Sequence, residues 1–231
     1  MPLLSDQDRS VVSSHLAAIK TPVTILFFTQ TIGAPETALI ARQLLDEVVS
    51  LNDLISLEEV NFVLDRERAA QFGIDGIPAV ALLCGGEDTR IRFLGAPAGY
   101  EFMSLVEALI LAGTGESGLT PESKTLIAGN VSGPTDILVF VTPSCPHCPR
   151  AVTLAHRMAV ENAHIRATCV EATEFIELSQ RYRVTGVPKT VVNGTIEMLG
   201  ALPESVFVRT ALGVPEPQAS QGSPASPGSP E

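Results

Sequence analysis

Two periods of apolar residues alternate along the chain. β-rich runs at 23–28, Ala79–Cys84, 137–141 and Ile165–Glu171 read as strands, while the intervening stretches repeat apolar positions every three or four residues. Ser5 with Asp8 marks a helix start, and that helix should run to about Ile19. A strand at 23–28 precedes a helix over Glu36–Val49, whose apolar stripe reads Leu39, Ile40, Leu44, Leu45 and Val48. The pattern then predicts a strand within 55–64, a helix at 66–72, and strands at Ala79–Cys84 and 90–94 around Gly85-Gly86. A helix at 100–111 follows.

From residue 114 the same order returns. Thr120-Pro121-Glu122 caps a short helix to about Ile127. A strand at 136–141 leads into a helix ending near Asn162. The strand Ile165–Glu171 and a helix at 174–182 follow. Strands at 190–192 and 195–199 flank Asn193-Gly194, a two-residue hairpin signal, and a helix spans 203–212. The halves match locally: Phe72-Gly-Ile-Asp-Gly-Ile-Pro78 parallels Tyr182-Arg-Val-Thr-Gly-Val-Pro188, and Phe93-Leu-Gly-Ala parallels Met198-Leu-Gly-Ala. This is a tandem duplication. Its expected divisions are 1–113, 114–214 and a Pro/Ser/Gly-rich tail at 215–231, which lacks apolar residues to bury and reads as disordered.

Composition narrows the function. The 231 residues carry a net charge of −11 with 45% hydrophobic and 18% charged residues. That balance suits a soluble globular protein and argues against nucleic acid or an anionic membrane as partner. No apolar run approaches the roughly 18 residues of a membrane span, and the N-terminus has no basic or apolar leader pattern, so a cytoplasmic protein is expected. Four cysteines in such a chain do not make a disulfide framework.

The chemistry concentrates in Thr142-Pro-Ser-Cys145-Pro-His-Cys148-Pro149, directly after an apolar strand. The pattern predicts a helix starting on Cys145 with Pro146 at its first position. Unpaired amides and the positive helix end would then favour a thiolate at Cys145. Cys148, one turn on, is close enough to close a disulfide. Strand, Cys-x-x-Cys and helix make a thiol–disulfide exchange site, with Cys145 as nucleophile and Cys148 as resolving thiol. Half a zinc site is the rival, but His156 lies about 12 Å along the helix from Cys148 at 1.5 Å per residue. No metal and no organic cofactor are called for. His147 brings a second positive charge to the helix start, against the alternative of an exposed spacer. Pro149 shapes the first turn. Where the second half has its cysteines, the first has Gly33-Ala-Pro-Glu36, which carries no redox chemistry.

These residues resemble the thioredoxin-fold superfamily, and specifically the glutaredoxin-like protein disulfide oxidoreductases built from two fused thioredoxin folds. The likeness rests on 140–149, on His156-Arg-Met-Ala159 with Glu161-Asn162, and on Gly186-Val-Pro188, and the repeat carries it over 23–213. One live and one vacant fold also resembles the N-terminal module of the alkyl hydroperoxide reductase flavoprotein subunit. The resemblance implies an α/β protein of tandem thioredoxin-like folds, each a central mixed sheet flanked by helices. It also implies exchange of electrons with protein disulfides, and a thioredoxin-reductase-like flavoprotein or a peroxiredoxin as candidate partner. It further implies a cis Val187–Pro188 bond presenting the Val187 backbone to an extended substrate, with Pro78 its counterpart in the first half. Two departures stand out. The first fold has no cysteine pair, and Val139 occupies the position where thioredoxins carry a buried aspartate, six residues before the first cysteine. Glu171, ending the next strand, is the candidate proton acceptor for Cys148, against a solvated strand-end acid. Cys84 and Cys169 read as small buried hydrophobes, and His156 and His164 as surface residues. A non-catalytic partner-binding module and a dedicated electron relay to a peroxiredoxin are the alternative functions.

Overall fold

The computed structural model describes residues 2–215, so the tail expected at 215–231 lies, from residue 216 on, outside the described residues. The first half runs α1 (Asp6–Leu16), β1 (Val23–Thr29), α2 (Glu36–Val49), β2 (Ile55–Asn61), α3 (Arg66–Gln71), β3 (Ala79–Cys84), β4 (Glu87–Leu94) and α4 (Glu101–Thr114). The second repeats it as α5 (Pro121–Asn130), β5 (Thr135–Val141), α6 (Cys148–Glu161), β6 (Ile165–Glu171), α7 (Ile176–Arg181), β7 (Lys189–Val192), β8 (Ile196–Leu199) and α8 (Glu204–Ala211). Local chemistry explains several boundaries. Ser5 and Asp8 form a reciprocal capping box on α1, and Thr120 caps α5 through the Ser123 amide with Pro121 in the first turn. Asn193 and Gly194 both take positive φ, as the two-residue hairpin between β7 and β8 requires.

The two halves share one eight-stranded sheet, in the order β2-β1-β3-β4-β6-β5-β7-β8. β1 and β5 each pair in parallel with the following strand and antiparallel with the one after. The halves join where β4 runs parallel to β6, from Ile91 opposite Ala167 to Leu94 opposite Val170. Strand alternation sends Ile91, Phe93, Ala167 and Cys169 to one face, in a core shared with α1, α2, α4, α6 and α8. Leu94 and Val170 go to the other, with Phe72 and the residues around α3 and α7. Burying side chains of this size is worth about 1.5–3 kcal/mol each, so the seam is core rather than a domain contact. Buried cations hold the last carbonyls of α3 and α7: Arg92 Nε donates to Phe72 O at 3.0 Å and Lys189 Nζ to Tyr182 O at 2.6 Å. Among the described residues no helix is long and apolar enough to cross a membrane.

Two sequence expectations give way here. The buried stripe of α2 is Ala38, Ala41, Leu44, Leu45 and Val48; Leu39 is 76% exposed and Ile40 also faces solvent. Apolar spacing could not tell the alanine-containing stripe from the flanking leucine and isoleucine. His156 is buried rather than on the surface. Its helix is covered by α4 of the other half as well as by the sheet beneath, so a residue facing away from its own fold is still enclosed.

Candidate redox site

Cys145 and Cys148 are joined as a disulfide, with Cα atoms 5.5 Å apart. α6 begins at Cys148, with His147 as its N-cap, and not at Cys145 as the sequence suggested. The reason lies in Pro149. A helix starting on Cys145 would need the Cys145 carbonyl to accept from the amide of residue 149, and proline has none. The carbonyl instead accepts from Cys148 N at 3.4 Å, and Cys145 N donates back to Thr142 O at 3.1 Å. Pro146 therefore sits in the turn before the helix, while Pro149 occupies its first turn. Cys145 still lies at the amino end of α6, where free amides and the helix dipole favour negative charge.

Burial separates the two sulfurs' residues. Cys148 is fully enclosed, whereas Cys145 retains 9% exposure, and Pro146 and His147 are exposed beside it. The Val187–Pro188 bond is cis, as is its counterpart Ile77–Pro78. Pro188 is buried and Val187 half-buried against both cores.

Glu171 is buried at the end of β6 and engaged by its own loop. Its carboxylate accepts from Thr173 N and Oγ1 and from Glu174 N at 2.7 Å, organising the loop before α7. A second buried acid, next in sequence to a residue tied to the cysteine loop, is Glu101, the first residue of α4 and part of the other half. The loop before it is tied to the cysteine loop: Tyr100 N donates to Pro143 O at 2.9 Å. Gly99, at φ +61°, lies so close to the Pro143 carbonyl that a side chain there would collide with backbone. Glu101 is 2% exposed; one carboxylate oxygen accepts from Ser104 Oγ at 2.6 Å and meets Cys169 Sγ at 3.9 Å, and the other has no hydrogen-bond partner among the described residues. Burial pushes its pKa up to about 7, with the Ser104 and Cys169 contacts opposing. Burial also raises the Cys169 thiol, reinforced by the Glu101 and Glu171 carboxylates, which leaves it protonated and inert. His156 is held neutral by burial, its pKa down at about 3, with its ring edge-on to Phe93 at 5.1 Å.

Sequence reasoning missed Glu101 because it belongs to the cysteine-free half, 68 residues from Cys169. An acid opening an otherwise apolar helix, Glu101-Phe-Met-Ser-Leu-Val, was the available signal.

The second half reaches the residues around the vacant position in the first, although Gly33, Pro35 and Glu36 stay exposed. Glu174 accepts from Ala96 N at 2.8 Å and from Thr37 Oγ1 at the start of α2. The Phe175 ring lies 2.7 Å from where a side chain on Gly76 would begin. The corresponding stretch of the second half, Gly200-Ala201, follows β8 at the free edge of the sheet.

Known proteins share this fold. Residues 135–213 match the family model described as a thioredoxin domain. The NTD_N/C domain of the alkyl hydroperoxide reductase AhpF from Enterococcus faecalis superposes with a TM-score of 0.83 at 28% identity, covering 90% of this chain and 99% of that one. The AhpF protein of Pseudomonas putida is 27% identical over 212 residues, 88% of this chain and 38% of the relative. The chain spans about a third of the length of the curated relatives it matches. A protein disulfide oxidoreductase from Aeropyrum pernix superposes with a TM-score of 0.80 at 30% identity, covering 90% of this chain and 91% of that one. With that likeness running through both halves, and a Cys-x-x-Cys disulfide at the start of α6, the chain belongs to the protein disulfide oxidoreductases built from two fused thioredoxin folds.

Proposed function

We propose that this chain exchanges electrons with protein disulfides through Cys145 and Cys148. The observation that carries the reading is a disulfide with one slightly exposed and one fully enclosed member, at a helix amino end and after a strand paired with the one that follows the cis-proline. In the reducing direction the Cys145 thiolate attacks a substrate disulfide, forming a mixed disulfide and releasing one substrate thiolate. Cys148, losing its proton, then attacks the Cys145 sulfur and frees the second substrate thiolate. One substrate disulfide becomes two thiols as the Cys145–Cys148 dithiol becomes a disulfide; the reverse sequence oxidises.

His147 and the amino end of α6 favour the Cys145 thiolate, Pro146 shapes the turn between the cysteines, and the Val187–Pro188 segment lines up the substrate backbone. Glu101, rather than Glu171, is our acceptor for the Cys148 proton, being buried, half-satisfied and poised near pH 7. The first half, residues 1–113 in our division, acts as a structural partner of the redox half at 114–214. The bonds from Ala96 and Thr37 to Glu174 across the halves support that role. A narrower reading, an electron relay from a flavoprotein to a peroxiredoxin, is favoured by the likeness to AhpF.

The test presents a reduced Cys148→Ser variant with disulfide-bearing proteins of a cell extract and with a peroxiredoxin in its disulfide form. It should accumulate mixed disulfides on Cys145 that dithiothreitol releases, and Cys145→Ser should accumulate none. Equal trapping by both variants would overturn the assignment.

A further inference from the structure

We propose that Tyr100 and Met103, carried by the cysteine-free half, form an apolar wall of the docking surface at Cys145 and select polypeptides with a large apolar side chain beside the target cysteine. This rests on the oxidoreductase reading above.

Tyr100 and Met103 are one turn apart at the start of α4 and so share a side of the helix. Their neighbours Glu101, Ser104, Leu105 and Val106 are buried, yet Tyr100 is 52% and Met103 38% exposed. The wall is fixed relative to the redox sulfur, because Tyr100 N bonds to Pro143 O and Gly99 packs on the same carbonyl, two residues before Cys145. Pro143 and Pro146 are exposed on the loop between, and the pairing of Lys189 with Phe140 brings the Val187–Pro188 segment to the end of β5 from which that loop leaves.

The occupant follows from the chemistry. Whatever settles here must deliver a sulfur to Cys145, which is barely exposed, so its flanking residues come up against the rim. A small disulfide should reach the sulfur without engaging the wall, whereas a polypeptide lying across the loop should meet it. A phenol ring face and an adaptable thioether offer a large apolar side chain far more contact area than a short polar one.

The experiment compares the reduced wild-type chain with a Tyr100→Ser/Met103→Ser variant on three substrates. These are bis(2-hydroxyethyl) disulfide and two disulfide-linked peptides that differ only in carrying Leu or Ser next to the cysteine. Wild type should favour the Leu peptide over the Ser peptide in kcat/KM by about tenfold, within the 10–200-fold range of apolar pocket discrimination. The double variant should lose that preference while keeping its rate on bis(2-hydroxyethyl) disulfide within about twofold, and Tyr100→Phe/Met103→Leu should restore it. An unchanged preference in the double variant would overturn the proposal, as would an equal loss on all three substrates, which would mean the change acts through the cysteine loop. A wild type inert toward all three would instead overturn the oxidoreductase reading, and this proposal with it.

Discussion

Glu101 should write its burial into the pH dependence of stability. Its carboxyl rises from an ordinary 4.5 to about 7 on folding, because burial desolvates it by more than the Ser104 and Cys169 contacts offset. At 1.36 kcal/mol per pH unit, that rise amounts to about 3.4 kcal/mol. A carboxyl whose folded pKa lies above its unfolded value contributes fully below the unfolded pKa. Its contribution is then lost as pH climbs through the folded one. Roughly 2.5 kcal/mol of the total should fall between pH 5 and pH 8 by the same linkage. Glu101→Gln keeps the shape and the acceptor for Ser104 but cannot ionise. Urea unfolding of the oxidised protein at both pH values gives the assay, and the quantity to follow is variant minus wild type. His156 slopes the opposite way: with its folded pKa down at about 3, its contribution is present above 6.5 and lost as pH falls. It is common to both proteins and cancels in the difference. The variant should gain about 2.5 kcal/mol on wild type from pH 5 to pH 8. A difference flat to within about 1 kcal/mol would refute the reasoning, since ionisation at Glu101 would then cost the fold nothing.

Two further outcomes are expected. Glu174→Ala should lower stability by about 2 kcal/mol, because the Ala96 amide and the Thr37 hydroxyl lose a charged acceptor. Glu174→Gln, which keeps an acceptor, should cost under about 1 kcal/mol, and a urea midpoint equal for the two variants would remove the link between halves that we infer. Arg183 occupies φ +50° where the repeat-equivalent Gly73 sits at +66°. Relief of about 1–2 kcal/mol of left-handed strain, less the entropy of a glycine, should make Arg183→Gly about 0.5–1 kcal/mol more stable. A thermal melt showing no rise in Tm would count against that.

Much of the molecule was legible in the chain because it is written in neighbouring residues. The Ser5/Asp8 box, Thr120-Pro121 and Asn193-Gly194 act over two to four positions, and their chemistry does not depend on what packs above them. The duplication showed because Phe72–Pro78 and Tyr182–Pro188 solve the same local problem twice. The cysteine pair was equally plain, since its closure needs only a three-residue spacing. Pro149 was in view as well, but its consequence for the start of α6 depends on which carbonyl lacks a donor, a matter of geometry. The pairing of β4 with β6 was not legible, because strands with apolar residues on both faces accept several neighbours. From that seam follow the burial of His156, the approach of Glu101 to Cys169, the Ala96–Glu174 bond and the fixing of Tyr100 beside Pro143. Each joins residues more than forty positions apart across the two halves. No local period encodes such a meeting, and only the packing of one half on the other decides it.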